Sequence, residues 1–257
     1  PRSTPLYSSA ASDVYKRQPQ GYRLGHVTLC LLALFCAFMS TYLLTRVPDI
    51  APLAAGEARA KRSFREAILE PLKDSRFRRV LIFAAAFNGG IQLAGPYFPY
   101  YFTKELGIGM GSIAVWAMLN NLGSFLAAGF WGGRLDRVGG ARRIVLVCAL
   151  SICVSPLFYL SRDVTLIRWV GTFDYFVNGI AWSGFNLSMT TLALRACPPG
   201  KNAAYFSLYS ASSGLAGAGA AFLGGSLAQW LQPWGGFQAL WIVASATRLL
   251  VVVALFR

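Results

Sequence analysis

The sequence predicts an all-α, polytopic membrane helix bundle with about seven transmembrane helices, and three observations carry that expectation. The 257 residues are 55% hydrophobic and only 13% charged, with a mean hydropathy of +0.49. A soluble domain carries about 25% charged residues. Apolar stretches long enough to cross ~30 Å of hydrocarbon recur along the chain. Basic residues gather in every second connection between them, which is the charge asymmetry of a multi-pass protein.

Residues 1–18, PRSTPLYSSAASDVYKRQ, are polar and share no period with the rest. They resemble a translated sequencing-adaptor tail and are set aside as non-native. The natural protein is therefore expected to extend upstream, so that this chain is a fragment. Residues 19–45 hold the first span, at 22–45. Residues 46–78 form a linker that opens with Pro48, Pro52 and small residues, then reads KRSFREAILEPLKDSRFRRVLIF. Phe64, Ile68, Leu69 and Leu72 recur there at helical spacing between charges, which predicts a short amphipathic helix at the interface, broken at Pro71. Residues 79–257 hold six spans, at 79–103, 111–133, 143–161, 167–194, 203–229 and 236–256. The run SASSGLAGAGAAFLGG at 210–225 is rich in small residues. Ser210, Gly214 and Ala218, four apart, predict close helix packing.

A net charge of +14 from 24 basic and 10 acidic residues would suit a nucleic-acid binder, but here the basic residues lie between apolar runs. No nucleic-acid partner is expected. Fifteen Lys and Arg fall in the connections 46–79, 134–143 and 195–202, against Lys104, Arg162 and Arg168 on the other side. That asymmetry predicts the first set to be cytoplasmic, in a cell membrane of prokaryotic inner-membrane type. Lys16, Arg17 and Arg23 run against the rule, two of them in the suspect tail. Cys30, Cys36, Cys148, Cys153 and Cys197 form no C-x-x-C pair, and His26 is the single histidine. The expectation is therefore no metal and no cofactor. H-E-x-x-H and G-x-S-x-G are absent, which weighs against an intramembrane enzyme. The last span has no lysine for a retinal Schiff base, which weighs against a light-driven seven-helix protein. A seven-helix receptor and an intramembrane enzyme are the two alternative functions for a bundle of this kind.

After the third span the chain reads Gly132-Gly133-Arg134-Leu135-Asp136-Arg137-Val138-Gly139-Gly140-Ala141-Arg142-Arg143. This resembles the signature loop of the major facilitator superfamily: Gly, three positions, Asp-Arg, any residue, Gly, then basic residues. Arg134 stands where an apolar residue is usual, and Gly140 and Ala141 delay the basic pair. EPLKDSRFRRVLIFAAAFNGGIQLAGPYFPYYFTKELGIG (70–109) is similar to that family's entry into its seventh helix. GIAWSGFNLSMTTLALRACPPGKNAAYFSLYSA (179–211) is similar to its tenth helix, a cytoplasmic turn and its eleventh. The resemblance covers about 22–257 and implies helices six to twelve, the C-terminal half of the fold. Gly132, Asp136, Arg137, Gly139, Arg142 and Arg143 would form a gating loop, with Arg195 the expected partner of Asp136 when the inner side is closed.

The resemblance implies a secondary active transporter working by alternating access, coupled to protons or to exchange. Its partners would be membrane lipids, a small-molecule substrate, protons and the missing N-terminal half, without which no transport is expected. Polar groups inside spans are costly and therefore candidates for the pathway. Asp174 is the sharpest: an ionised carboxylate at helix centre costs about 2.5–3.5 kcal/mol. Asp174, Asn178, Ala181, Phe185 and Ser188 share one helical face. A second reading leaves Asp174 solvated near the outer interface. Asn88 and Gln92 share a face, with Tyr97 beyond them and Pro96 and Pro99 set to kink the helix. Trp116 and Asn120 are also four apart. Interhelical hydrogen bonding is the alternative role for the asparagines. Arg248, in the last span, would either snorkel or pair with Asp174.

Overall fold

The computed structural model describes residues 20–46 and 64–256. The expected non-native tail and the first part of the linker, with Arg59, Lys61 and Arg62, lie outside the described residues. Two compact units divide the chain after Ala60. The first contains one described helix, α1 (Gln20–Thr45), whose 26 residues rise about 39 Å. Cys30–Thr45 is its described apolar stretch.

The second unit contains α2 (Phe64–Lys73), α3 (Ser75–Gln92), α4 (Met110–Val138), α5 (Ala141–Val154), α6 (Val164–Ala196), α7 (Asn202–Trp230) and α8 (Phe237–Phe256). Among the described residues there is no strand. Ser75–Glu105, Met110–Val138, Ala141–Tyr159 and Phe237–Ala254 are long and apolar enough to cross a membrane. α6 and α7, with 33 and 29 residues, are long enough but carry more polar and small side chains. The surface is inverted relative to a soluble domain. Phe125 on α4, Trp169 and Phe173 on α6 and Phe222 on α7 are largely exposed, while Asp174 and Arg248 are only 6% and 4% exposed. Large apolar side chains outside and charges inside are what lipid selects.

The linker helix departs from expectation. Pro71 lies inside α2 and is buried, and the helix continues to Lys73. Pro71 lies only two residues from the helix end, and the break comes instead at Asp74. The Asp74 carboxylate accepts from the amides of Arg76 and Phe77 at 2.9 and 3.3 Å and starts α3 four residues before the expected span. A side-chain acceptor for the first free amides sets a helix start more firmly than where apolarity begins.

Within the bundle α4 packs on α6, α3 on α7, α5 on α6, and α8 on both α3 and α5. Glycines set the closest approaches. A Cβ on Gly179 would lie 2.0 Å from the Asn120 carbonyl oxygen, and one on Gly224 would lie 2.1 Å from that of Leu93. Neither leaves room for a side chain. The expected ridge of Ser210, Gly214 and Ala218 does not make such a contact: all three are exposed, and nothing lies within 4 Å of a Cβ on Gly214. Small residues surround α7 on several faces. The ridge through Gly217 and Gly224, turned from the expected one, meets α3.

Candidate functional site

Prolines open the interior that glycines close elsewhere. α3 loses its α-helical form after Gln92 and continues as a 3₁₀ turn (Gly95–Tyr97), a short α turn (Phe98–Tyr100) and a π turn (Tyr101–Glu105). Pro96 and Pro99 lie in this stretch, as their lack of an amide proton requires. α5 likewise gives way to a 3₁₀ turn at Ser155–Tyr159, which carries Pro156.

Arg248 reaches both breaks. Its Nε donates to the Gly90 carbonyl at 2.9 Å, and its terminal nitrogens donate to Ile152 at 3.1 Å and Ile91 at 3.4 Å. Two of the three acceptors are explained by local backbone chemistry. Pro156 is four residues after Ile152 and has no N–H to give it. The amide of Ala94, four after Gly90, bonds Ile91 instead. The guanidinium therefore replaces helix hydrogen bonds that the breaks removed. A Cβ on residue 90 would lie 2.9 Å from Arg248 Cγ, so glycine there makes room for the arginine. Both expected roles for Arg248 are corrected: it neither snorkels nor pairs with Asp174.

Asp174 is buried rather than solvated. The hydroxyls of Ser155 and Tyr159 both donate to its Oδ2 at 2.8 Å, and Asn178 Nδ2 donates to Ser155 Oγ at 3.1 Å. Oδ1 accepts none from the described residues. Asn178 Oδ1 is buried without a partner. Asp174, Asn178, Asn120, Ser155, Tyr159 and Arg248 line one cavity of about 230 Å³, with Phe98, Tyr175 and Trp182 among its walls. It lies between two apolar clusters, one containing Ile152 and the other Tyr159.

The other candidates disperse. Asn120 Nδ2 reaches the cavity wall by donating to the Tyr175 carbonyl at 3.1 Å. Asn88 Nδ2 donates to the Ser213 carbonyl at 2.7 Å and Tyr97 OH to that of Ala221 at 2.6 Å, both across the α3–α7 seam, where Gln92 also lies against Gly217. Tyr97 further lines an open cleft of about 510 Å³ with Glu105, Arg162 and Phe237. Trp116 is buried against Gly171 and donates to Thr172 Oγ1 at 3.2 Å. The Phe185 ring lies tilted, 4.8 Å from that of Phe87, within an apolar cluster. Sequence reasoning passed over Ser155 and Tyr159. Their four-residue spacing around Pro156, inside an apolar run, was the available signal.

The expected gating loop is mostly helix. α4 continues through Gly132, Asp136 and Arg137 to Val138, and only Gly139 and Gly140 turn, with φ of +67° and +73°. Two adjacent residues in the left-handed region suit glycine alone, so the extra Gly140 completes the turn. Its carbonyl then accepts from the amides of Arg143 and Ile144 at 2.8 and 3.2 Å, opening α5 below Arg142. Asp136 and Arg195 are both exposed and form no ion pair with one another. At the same end Lys201 instead pairs with Glu70 of α2.

This arrangement is a lipid-facing helical exterior around buried polar groups, with a Gly-Asp-Arg-Gly helix end. The model describing the Major Facilitator Superfamily matches residues 18–221 and, in a second overlapping match, 93–257. The chain belongs to the major facilitator superfamily. The chain is accordingly a multi-pass membrane protein of a transporter family, whose members are typically not enzymes. No curated protein and no solved structure matches it significantly.

Proposed function

We propose that this chain is the C-terminal part of a secondary active transporter that moves a small solute by alternating access, with Asp174 as its proton-binding group. The observation that carries the reading is Asp174 itself. It is a buried carboxylate without a cationic partner among the described residues, held by two hydroxyls at one oxygen and lining a cavity. A carboxylate so placed is costly to keep charged in an apolar interior, and a proton or a bound solute relieves that cost. The arginine-rich end of the bundle faces the cytosol in this reading. The broken halves of α3 and α5 supply the irregular backbone that membrane interiors tolerate where it lines a cavity.

The test uses the full-length protein in liposomes, with counterflow and pH-gradient-driven uptake measured for a panel of amino acids, sugars, organic cations and aromatic acids. A proton-coupled transporter accumulates its solute when the gradient is imposed. Asp174→Asn should abolish that accumulation. Accumulation by D174N equal to the wild type would overturn the role of Asp174. An absence of counterflow for every solute would overturn the transporter reading.

A further inference from the structure

The cavity holds two opposite charges that do not touch. Arg248 is 4% exposed and Asp174 6%, both line the same 230 Å³, and no ion pair joins them. Each is fixed from behind. The guanidinium is held by three backbone carbonyls and the carboxylate Oδ2 by Ser155 and Tyr159. Neither can swing across to the other without giving up those bonds. A guanidinium carries five N–H donors, so two remain after the three carbonyl bonds. Among the described residues Asp174 Oδ1 accepts no bond, and the buried Asn178 Oδ1 has no partner. The cavity lining thus holds a guanidinium with donors to spare and, apart from it, a carboxylate beside the Asn178 amide. Aromatic walls from Phe98, Tyr159, Tyr175 and Trp182 lie around them.

We propose that this cavity binds a small zwitterion, its carboxylate at Arg248 and its primary ammonium at Asp174 and Asn178, and that a small amino acid of this kind is the transported solute; the second half rests on the transporter reading. Charge complementarity selects the class. An amine alone leaves the guanidinium facing an empty cavity, and an acid alone leaves Asp174 unpaired beside a second negative charge. A bound zwitterion satisfies both fixed charges at once, which matters most where water is scarce. The ammonium must carry protons, because Asn178 Oδ1 and Asp174 Oδ1 are both acceptors. A quaternary amine offers them none. Volume favours a small solute, since cavities for drug-sized ligands run about 300–1,000 Å³.

Three matched probes separate the contributions without altering Arg248, whose loss would also disturb two helices. They are L-leucine, 3-methylbutylamine (leucine without its carboxylate) and 4-methylpentanoate (leucine without its amine). Binding is measured by isothermal titration to the purified full-length protein in detergent, and glycine and L-phenylalanine bracket the size. We expect one of the amino acids to bind, with leucine at least about tenfold tighter than either truncated probe if it fits, as loss of one charged hydrogen-bonded contact implies. Asp174→Asn should weaken amino-acid and amine binding while leaving the acid's unchanged. Equal binding of amine and amino acid, equal binding of acid and amino acid, or no binding by any probe would each overturn the zwitterion site. Amino-acid binding without counterflow would leave the site standing and overturn the transporter reading. Counterflow of another solute class without amino-acid binding would do the reverse.

Discussion

Between α4 and α6 the two backbones nearly touch, whereas the broken ends of α3 and α5, with α6 and α8, leave between them a cavity of about 230 Å³. Both regions lie inside one bundle and both depart from a plain apolar helix, but in opposite directions. Gly123 and Gly179 remove side chains so that the Phe176 and Asn120 carbonyls fill the space. Near the cavity Pro96 and Pro156 lack amide protons, and Arg248 bonds carbonyls at both breaks. Glycine in a membrane helix brings neighbours together. Proline exposes backbone that something polar must satisfy.

The largest expected effect breaks the tight region. Gly179→Leu places a side chain where a Cβ alone would lie 2.0 Å from the Asn120 carbonyl oxygen. Overpacking costs about 1–3 kcal/mol where side chains can adjust; here the obstacle is backbone, so the helices must separate. The variant should give no monodisperse peak in detergent chromatography. Gly214→Leu on α7 adds the same side chain in open space and should stay within about 0.5 kcal/mol of the parent. A G179L protein as stable as G214L would show that the close approach is not needed.

Next comes the cavity. Arg248→Met deletes the guanidinium and leaves the Gly90 and Ile152 carbonyls without partners. An orphaned buried acceptor costs about 1–3 kcal/mol, so the melting temperature should fall by roughly 5–10 °C for a protein of this size. Pro156→Ala in the same background returns an amide proton four residues after Ile152 and should recover part of the loss, about 1 kcal/mol. Thermal unfolding of the parent, the single variant and the double variant decides it. If P156A recovers nothing in R248M, the arginine is not standing in for the missing helix bond.

The same division explains what could be read from the sequence. Hydropathy located the helices of the bundle because length and apolarity decide what crosses lipid, and the Gly-Asp-Arg-Gly run marked a superfamily that the chain does belong to. Helix ends were less legible. α4 continues five residues past the expected span through Arg134 and Arg137, since charged residues at a membrane surface are compatible with helix. Asp174 was visible as a charge within an apolar run. Its two partners were not, because a serine and a tyrosine in a span are ordinary, and only the Pro156 turn brings both hydroxyls to one carboxylate oxygen. Arg248 was visible as a residue without an assigned partner. Naming backbone carbonyls as its acceptors requires knowing where two other helices break, and that is tertiary information. The ridge on α7 was misjudged for the same reason: composition cannot tell which of several small-residue faces meets a neighbour.

The smallest effect belongs to the arginine-rich end, where polar and packed contacts again act side by side. α2 is tied to the start of α7 by the Lys201–Glu70 pair, whose side chains are 30% and 37% exposed. It is also tied by an apolar contact, in which Leu72 packs near Phe77, Leu81 and Tyr205, with Phe77 edge-on to Tyr205 at 4.7 Å. A partly exposed ion pair is worth about 0–1 kcal/mol and weakens in salt, whereas truncating a buried aromatic ring costs about 3–5 kcal/mol. Hydrogen exchange of the α2 amides separates the two. Tyr205→Ala should accelerate exchange strongly at any ionic strength. Glu70→Gln should accelerate it only slightly, and the difference from the parent should vanish in about 1 M salt. Exchange in E70Q as fast as in Y205A would mean that charge, not the apolar contact, holds this helix, and the contrast between packed and polar contacts would then end at the bundle interior.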